Sequence, residues 1–200
     1  MSRAERMFNA LEKESTTQPA GTPPVGLTEK ELQSFENRLT HNMSDKLEQI
    51  IQKSVELGVS EIVPVLTRRC ISRPNSGEFQ KKLPRLQKIA QAAAQQSGRG
   101  IIPAIGPLHS LEMAAERMAE LEVPVVLYEG EGGISFSAVR SDAETYGICI
   151  GSEGGFDPAE IELLQARGVQ PVWLGKRILR CETAPLTALS VLMFRTGNLN

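Results

Sequence analysis

Two glycine-bounded segments towards the C-terminus concentrate the side chains that could do chemistry: Ile150-Gly151-Ser152-Glu153-Gly154-Gly155-Phe156 and Leu174-Gly175-Lys176-Arg177-Ile178-Leu179-Arg180-Cys181-Glu182-Thr183-Ala184. A glycine lets the backbone approach a ligand closely and adopt positive φ, so such loops present amide groups to whatever binds. A phosphate cradle would add a lysine and a Ser/Thr in the P-loop arrangement, and a dinucleotide site would carry G-x-G-x-x-G; neither pattern is present. Glu153 would moreover repel phosphate. The expected ligand is therefore small and neutral or cationic. Cys70, Cys149 and Cys181 lack the spacing of a metal site or a redox motif. Cys181 is the thiol placed to act as a nucleophile, but the two histidines are remote from it in sequence.

Each segment follows an apolar run with strand character and leads into a helical pattern. A third polar, glycine-rich loop, Leu127-Tyr128-Glu129-Gly130-Glu131-Gly132-Gly133, follows the run Val123 to Tyr128. Open α/β sheets place ligands at the carboxyl ends of their strands, so three such loops define a crevice. Periodicity predicts strands over 59–66, 101–105, 123–128, 146–150 and 169–174, with helices over 79–96, 110–122 and 183–195 between and after them. Asp157-Pro158-Ala159-Glu160 pairs an N-cap and a first-turn proline with an acid at the third helical position, which starts a helix that Gly168 ends. Strands alternating with helices imply an α/β fold, a mainly parallel sheet with helices on both faces.

Residues 1–26 are polar, and 15–26 carry Thr, Gln, Pro and Gly with little to bury; residues 1–43 are expected to form a flexible polar arm with a short helix over 29–39. The globular domain is expected over 44–200, opening with a helix that carries Leu47, Ile50, Ile51 and Val55 and closes at Gly58. The net charge of −2 and pI near 5.8 supply no global basic footprint for nucleic acid. No run approaches the ~18 apolar residues of a membrane span, and the chain opens without a signal-peptide apolar region. A cytoplasmic protein without metal is the expectation.

The strings I-G-S-E-G-G-F, D-P-A-E-I and L-G-K-R-I-L-R-C-E-T-A resemble the signature of the RsmE family, the 16S ribosomal RNA uracil-N3 methyltransferases of the SPOUT superfamily. Upstream, Ile50-Ile51-Gln52-Lys53 and Glu56-Leu57-Gly58-Val59 resemble the family's first helix and strand. Arg85-Leu86-Gln87-Lys88-Ile89-Ala90 through Gln95-Gln96-Ser97-Gly98-Arg99 resembles its next helix and basic loop. The likeness covers about residues 44–196. It implies a SPOUT-type fold with a C-terminal trefoil knot, which connection rules alone would argue against. It further implies a homodimer, S-adenosylmethionine as cofactor, and 16S ribosomal RNA in the small ribosomal subunit as partner.

Carried over by position, the likeness assigns the cofactor to Leu127, Tyr128 and Glu129 of the first loop and to Gly151, Glu153, Gly154 and Gly155 of the second. From the third it takes Leu174, Gly175, Ile178, Leu179, Arg180, Glu182, Thr183 and Ala184. Aliphatic Leu174, Ile178 and Leu179 would sandwich the adenine, and carboxylates tolerate a sulfonium. Uracil N3 must lose a proton as it gains the methyl. The catalytic candidates are therefore Arg99 and Arg180 for RNA binding or anion stabilisation, with Glu182 or Glu153 for positioning or base work. Arg68 and Arg69 are candidates for phosphate contacts or for a solvated surface.

The chain departs from the family at three sites in these motifs and in its N-terminal part. Ser152 stands where proline is usual, Pro185 where a small helix former is usual, and Cys181 at a variable position. The family's N-terminal PUA-like barrel finds no counterpart in residues 1–43. Two other readings share the motifs: a SPOUT methyltransferase for another RNA position, and a non-catalytic RNA-binding or ribosome-assembly factor.

Overall fold

The computed structural model describes residues 28–199. Helix α1 (Glu29–Glu56) opens them, followed by the short strands β1 (Glu61–Ile62) and β2 (Val65–Leu66) and by helix α2 (Ser76–Gln96). Strands β3 (Ala104–Ile105) and β4 (His109–Ser110) pair in parallel with β1 and β2 respectively. Helix α3 (Leu111–Met118) then leads to the main sheet. That sheet contains β5 (Val123–Leu127), β6 (Ile134–Ser135), β7 (Tyr146–Cys149) and β8 (Gln170–Trp173) in the order β6-β8-β5-β7, every pair parallel. Helix α4 (Pro158–Ala166) crosses from β7 to β8, and α5 (Ala184–Arg195) closes the chain.

Alternation along β5 divides the core between the two faces of the sheet. Val126 packs with Leu111, Ala115, Cys149, Phe156, Ile161 and Leu164, which puts α3 and α4 on one face. Val123 and Val125 pack with Phe136, Val172, Ala188 and Leu192, which puts α5 on the other. The expected parallel sheet with helices on both faces is what the chain forms. A third cluster, with Ile51, Val55, Phe79, Leu86, Ala90 and Ile105, joins α1 to α2.

Local chemistry accounts for several boundaries. Asp157 caps α4 and Glu160 returns the bond to the cap backbone, with Pro158 in the first turn. Asn75 and Glu78 form the same box at α2. Gly58 takes φ +104 just beyond α1, where a Cβ would cost left-handed strain. Pro185 sits in the first turn of α5, where its missing N–H has no helical partner to lose.

Three expectations change. The strand expected over 59–66 splits into β1 and β2 around Val63-Pro64, because Pro64 has no N–H for a ladder; its carbonyl instead accepts from the His109 N–H at 2.9 Å. The helices expected on either side of 39–44 are one continuous helix, α1, which runs through the weak formers Thr40 and Asn42 since local propensity is a weak constraint. Strands β4 and β6 have no counterpart among the expected strands, being two residues long and too short to show alternation. Of the arm expected over 1–43, residues 1–27 lie outside the described residues, and 29–43 belong to α1.

Candidate functional site

Because β7, β5 and β8 are adjacent and parallel, the loops that follow them leave the sheet at the same end. The first loop begins at Tyr128, whose N–H donates to the Val172 carbonyl at 2.9 Å. Its ring folds back over Gly130, so a Cβ there would have to push the end of the ring aside. Glu129 reaches across to the second loop, where its Oε1 lies 3.4 Å from the position of a Gly155 Cβ.

The second loop is a tight hairpin. Ser152 and Gly155 form an antiparallel bridge, with the Gly155 N–H donating to the Ser152 carbonyl at 2.9 Å. Gly155 takes φ +65, and a Cβ on Gly151 would meet the Gly155 Cα at 3.1 Å. From outside, the backbone of Arg69 presses on Gly154: a Cβ there would lie 2.8 Å from the Arg69 Cβ and 3.0 Å from its carbonyl oxygen. The Arg69 guanidinium donates to the Gly154 carbonyl at 3.3 Å and lies 3.6 Å from Asp157. Arg68 lies 3.5 Å from the other Asp157 oxygen. Of the two readings open for this pair, the geometry therefore adds a third role, bracing the loop.

The third loop brings its one acid, Glu182, to the second. Glu153 and Glu182 both approach the Lys46 ammonium of α1, at 3.0 and 3.8 Å. The Cys181 thiol donates to Glu182 at 3.2 Å. That bond, together with Lys46 and Arg180, holds the Glu182 carboxyl below the usual carboxylate range. Burial alone would raise Glu153, but its own backbone N–H and Lys46 outweigh it and hold it low. Lys46 is raised in turn, chiefly by its bond to Glu153. Burial and the neighbouring carboxylates push the Cys181 thiol up to about 12, so it is protonated and a poor nucleophile at neutral pH.

The remaining expected residues divide. Leu174 packs against the α5 side of the sheet, Leu179 is half-buried and Ala184 is buried. Thr183 precedes α5, with its N–H on the Arg180 carbonyl at 2.9 Å, and Gly175 takes φ +129. Ile178 is 82% exposed, largely open to solvent. Arg180 is exposed beside Glu182. Arg99 is differently used: its guanidinium donates to the carbonyls of Val55, Val59 and Gly58 at 2.9, 2.7 and 3.4 Å. Those contacts cap the C-terminal end of α1, a structural task that competes with the role in RNA binding or catalysis expected for it.

Lys46 went unnoticed in the sequence. It precedes the apolar run Leu47, Ile50 and Ile51 like any lysine flanking a helix face, and its partners are over a hundred residues away (107 to Glu153), so no local spacing marks it. Ser152 Oγ is, among the described residues, the buried side-chain polar atom with no hydrogen-bond partner. A cavity of about 1230 Å³ runs from the β1–β2 segment past β7 and reaches Lys46, Glu153 and Cys181. Its lining leaves out Tyr128, Glu129 and Leu174, so it meets the three-loop site at one edge only; the loop geometry defines the site better than the cavity does. No group of three or more His, Cys, Asp or Glu among the described residues is placed to hold a metal ion.

A family model described as RNA methyltransferase domain matches residues 39–193. The ribosomal RNA small subunit methyltransferase E of Bacillus subtilis is 40% identical over 159 residues, 76% of this chain and 62% of that protein. The protein of the same name from Buchnera aphidicola subsp. Schizaphis graminum is 30% identical over 185 residues, 90% of this chain and 75% of that one. A crystal structure of the Neisseria gonorrhoeae ribosomal RNA small subunit methyltransferase E bound to S-adenosyl methionine aligns with a TM-score of 0.69 and 35% identity, covering 74% of this chain and 61% of that one. The chain spans about three fifths of the Bacillus relative's length.

Proposed function

The chain belongs to the RNA methyltransferase family, among the relatives of small subunit methyltransferase E, and from that membership we propose that it methylates N3 of a uridine in 16S ribosomal RNA with S-adenosylmethionine. The observation that carries this reading is the convergence of three loops from β5, β7 and β8, with Glu129 against Gly155 and with Glu153 and Glu182 on one ammonium. The residues present fit the cofactor. Gly151, Gly154 and Gly155 keep the second loop free of side-chain bulk, and the orphaned Ser152 hydroxyl lies in that loop. Leu174 and Leu179 offer apolar surface in the third loop, and two ionised carboxylates suit a cation.

When bound, S-adenosylmethionine supplies a methyl activated by its sulfonium. The chain's own contribution is then orientation and charge. A uridine N3–H must break, its electron pair turning to the incoming carbon while the proton passes to an acceptor. Glu182 is ionised and half-buried beside exposed Arg180, so the carboxylate can accept that proton and the guanidinium can stabilise the anionic ring. A trefoil knot, a homodimer and a cytoplasmic location belong to the same reading. Trp173 and Phe194, 42% and 66% exposed, support a dimer contact, and no helix of the described residues is long and apolar enough to cross a membrane.

The test is methyl transfer from labelled S-adenosylmethionine to small ribosomal subunits, followed by nucleoside mass spectrometry. The expected product is 3-methyluridine. A ribose-methylated nucleoside would move the target to another RNA position. Cofactor binding without any methyl transfer would leave an RNA-binding or assembly role.

A further inference from the structure

Lys46 ties α1 to both acidic loops. Its side chain is 33% exposed, and those of Glu153 and Glu182 are 16% and 28% exposed, so all three are partly withdrawn from water. Two like charges brought together from loops 29 positions apart in sequence would each disfavour ionisation of the other. One ammonium between them keeps both charged. The cluster therefore carries two negative charges and one positive, with the neutral Cys181 thiol on Glu182 and with exposed Arg180 at its edge.

We propose that Lys46 is a positioning residue of the methyl-transfer site whose ammonium sets the residual negative charge that a sulfonium cofactor meets. This rests on the cofactor reading above and adds to it a role in telling substrate from product. Methyl transfer converts a sulfonium into a neutral thioether of nearly the same shape. A site with surplus negative charge favours the first over the second, and Lys46 limits the surplus. With that surplus limited, the site attracts the cation while still releasing the product.

The test compares dissociation constants for S-adenosylmethionine and S-adenosylhomocysteine by calorimetry at about pH 8 in the wild type, K46M and K46R. In K46M the preference for the sulfonium should rise about three- to tenfold, as one partly screened positive charge is lost nearby; K46R should stay within about twofold of the wild type. A merely structural role would weaken both ligands alike and leave their ratio unmoved, and that result overturns the proposal. If K46M does not fold, K46Q carries the same comparison, keeping a donor for Glu153 without the charge. If the wild type binds neither ligand, the cofactor reading itself fails; if it binds both and only the ratio is insensitive, the failure belongs to Lys46 alone.

Discussion

The carboxylate of Glu160 accepts a hydrogen bond from the backbone N–H of Arg68 at 2.7 Å, across 92 residues of sequence. Its other oxygen accepts from the Asp157 N–H at 2.9 Å. One buried side chain thus fixes the start of α4, and with it the end of the glycine loop, to the segment after β2. Glu160→Ala would leave two backbone donors short of partners, and a loss of about 2–4 kcal/mol in denaturant unfolding is expected. Glu160→Gln keeps one acceptor oxygen and should lose about half as much. Equal stability of wild type and E160A would refute the tie.

Gly154 should be the least replaceable residue of the second loop. A methyl group there meets the Arg69 backbone, which cannot swing aside as a flexible side-chain end would. Gly154→Ala is expected to shift the hairpin and weaken S-adenosylmethionine binding by about tenfold or more, the scale of losing a well-placed contact set. Gly155→Ala should instead lose about 1–2 kcal/mol of stability through its left-handed φ of +65. Gly100→Ala is the control, since a Cβ there meets nothing within 4 Å. Calorimetry on the three variants separates these outcomes.

The loops were legible in the sequence because glycine, proline and capping residues act over three or four positions. Asp157, Pro158 and Glu160 announce α4, and the runs 123–128 and 169–174 announce β5 and β8. What stayed hidden depends on contacts between distant segments. Neither the meeting of Lys46 with Glu153 and Glu182, nor the capping of α1 by Arg99, has a local signature. Sequence marks Arg99 as an unpaired cation next to a glycine, and that pattern suits a substrate contact and a carbonyl cap equally. The order β6-β8-β5-β7 is likewise invisible to periodicity, which finds strands and not their neighbours.

Cys181 should be chemically quiet despite its place in the site. With the thiol pushed up to about 12 by burial and by Glu182 and Glu153, roughly one molecule in ten thousand carries a thiolate at about pH 8. Cys149, raised to about 12 by burial, should behave likewise. Mass spectrometry after brief iodoacetamide treatment of the folded protein should find both unmodified. Rapid alkylation of Cys181 would contradict its assigned surroundings. Cys181→Ala should retain methyl transfer, because the thiol has no step to perform.

Arg99 should prove a stability residue first. Its guanidinium serves three carbonyls around the end of α1, and Arg99→Met removes those donors at once. A loss of about 2–3 kcal/mol is expected from hydrogen bonds made by a charged group. Arg99→Lys should recover part of it, since an ammonium can reach fewer of the three. S-adenosylmethionine affinity of the folded variant should match the wild type. A stable R99M with lost RNA affinity would return the residue to the substrate-binding role that its position in sequence suggested.

The stability that Lys46 contributes should depend on pH in a window with two edges. Glu153 and Glu182 are held below the ordinary carboxylate value of 4.5 in the folded chain, so their contribution is complete above that value and is lost as pH falls through the folded values. Lys46 is raised above 10.5, so its contribution is complete below 10.5 and is lost as pH rises beyond its folded value. The difference in unfolding free energy between wild type and K46M should therefore be flat from about pH 5 to about pH 10. Solvent reaches all three groups, so screening limits that plateau to about 1 kcal/mol. Below about pH 4 it should shrink towards zero, because protonated carboxylates have no use for the ammonium. Denaturant titrations at about pH 3, 5 and 7 decide the matter: a difference that persists unchanged at the lowest pH would mean that Lys46 stabilises α1 by packing rather than by charge.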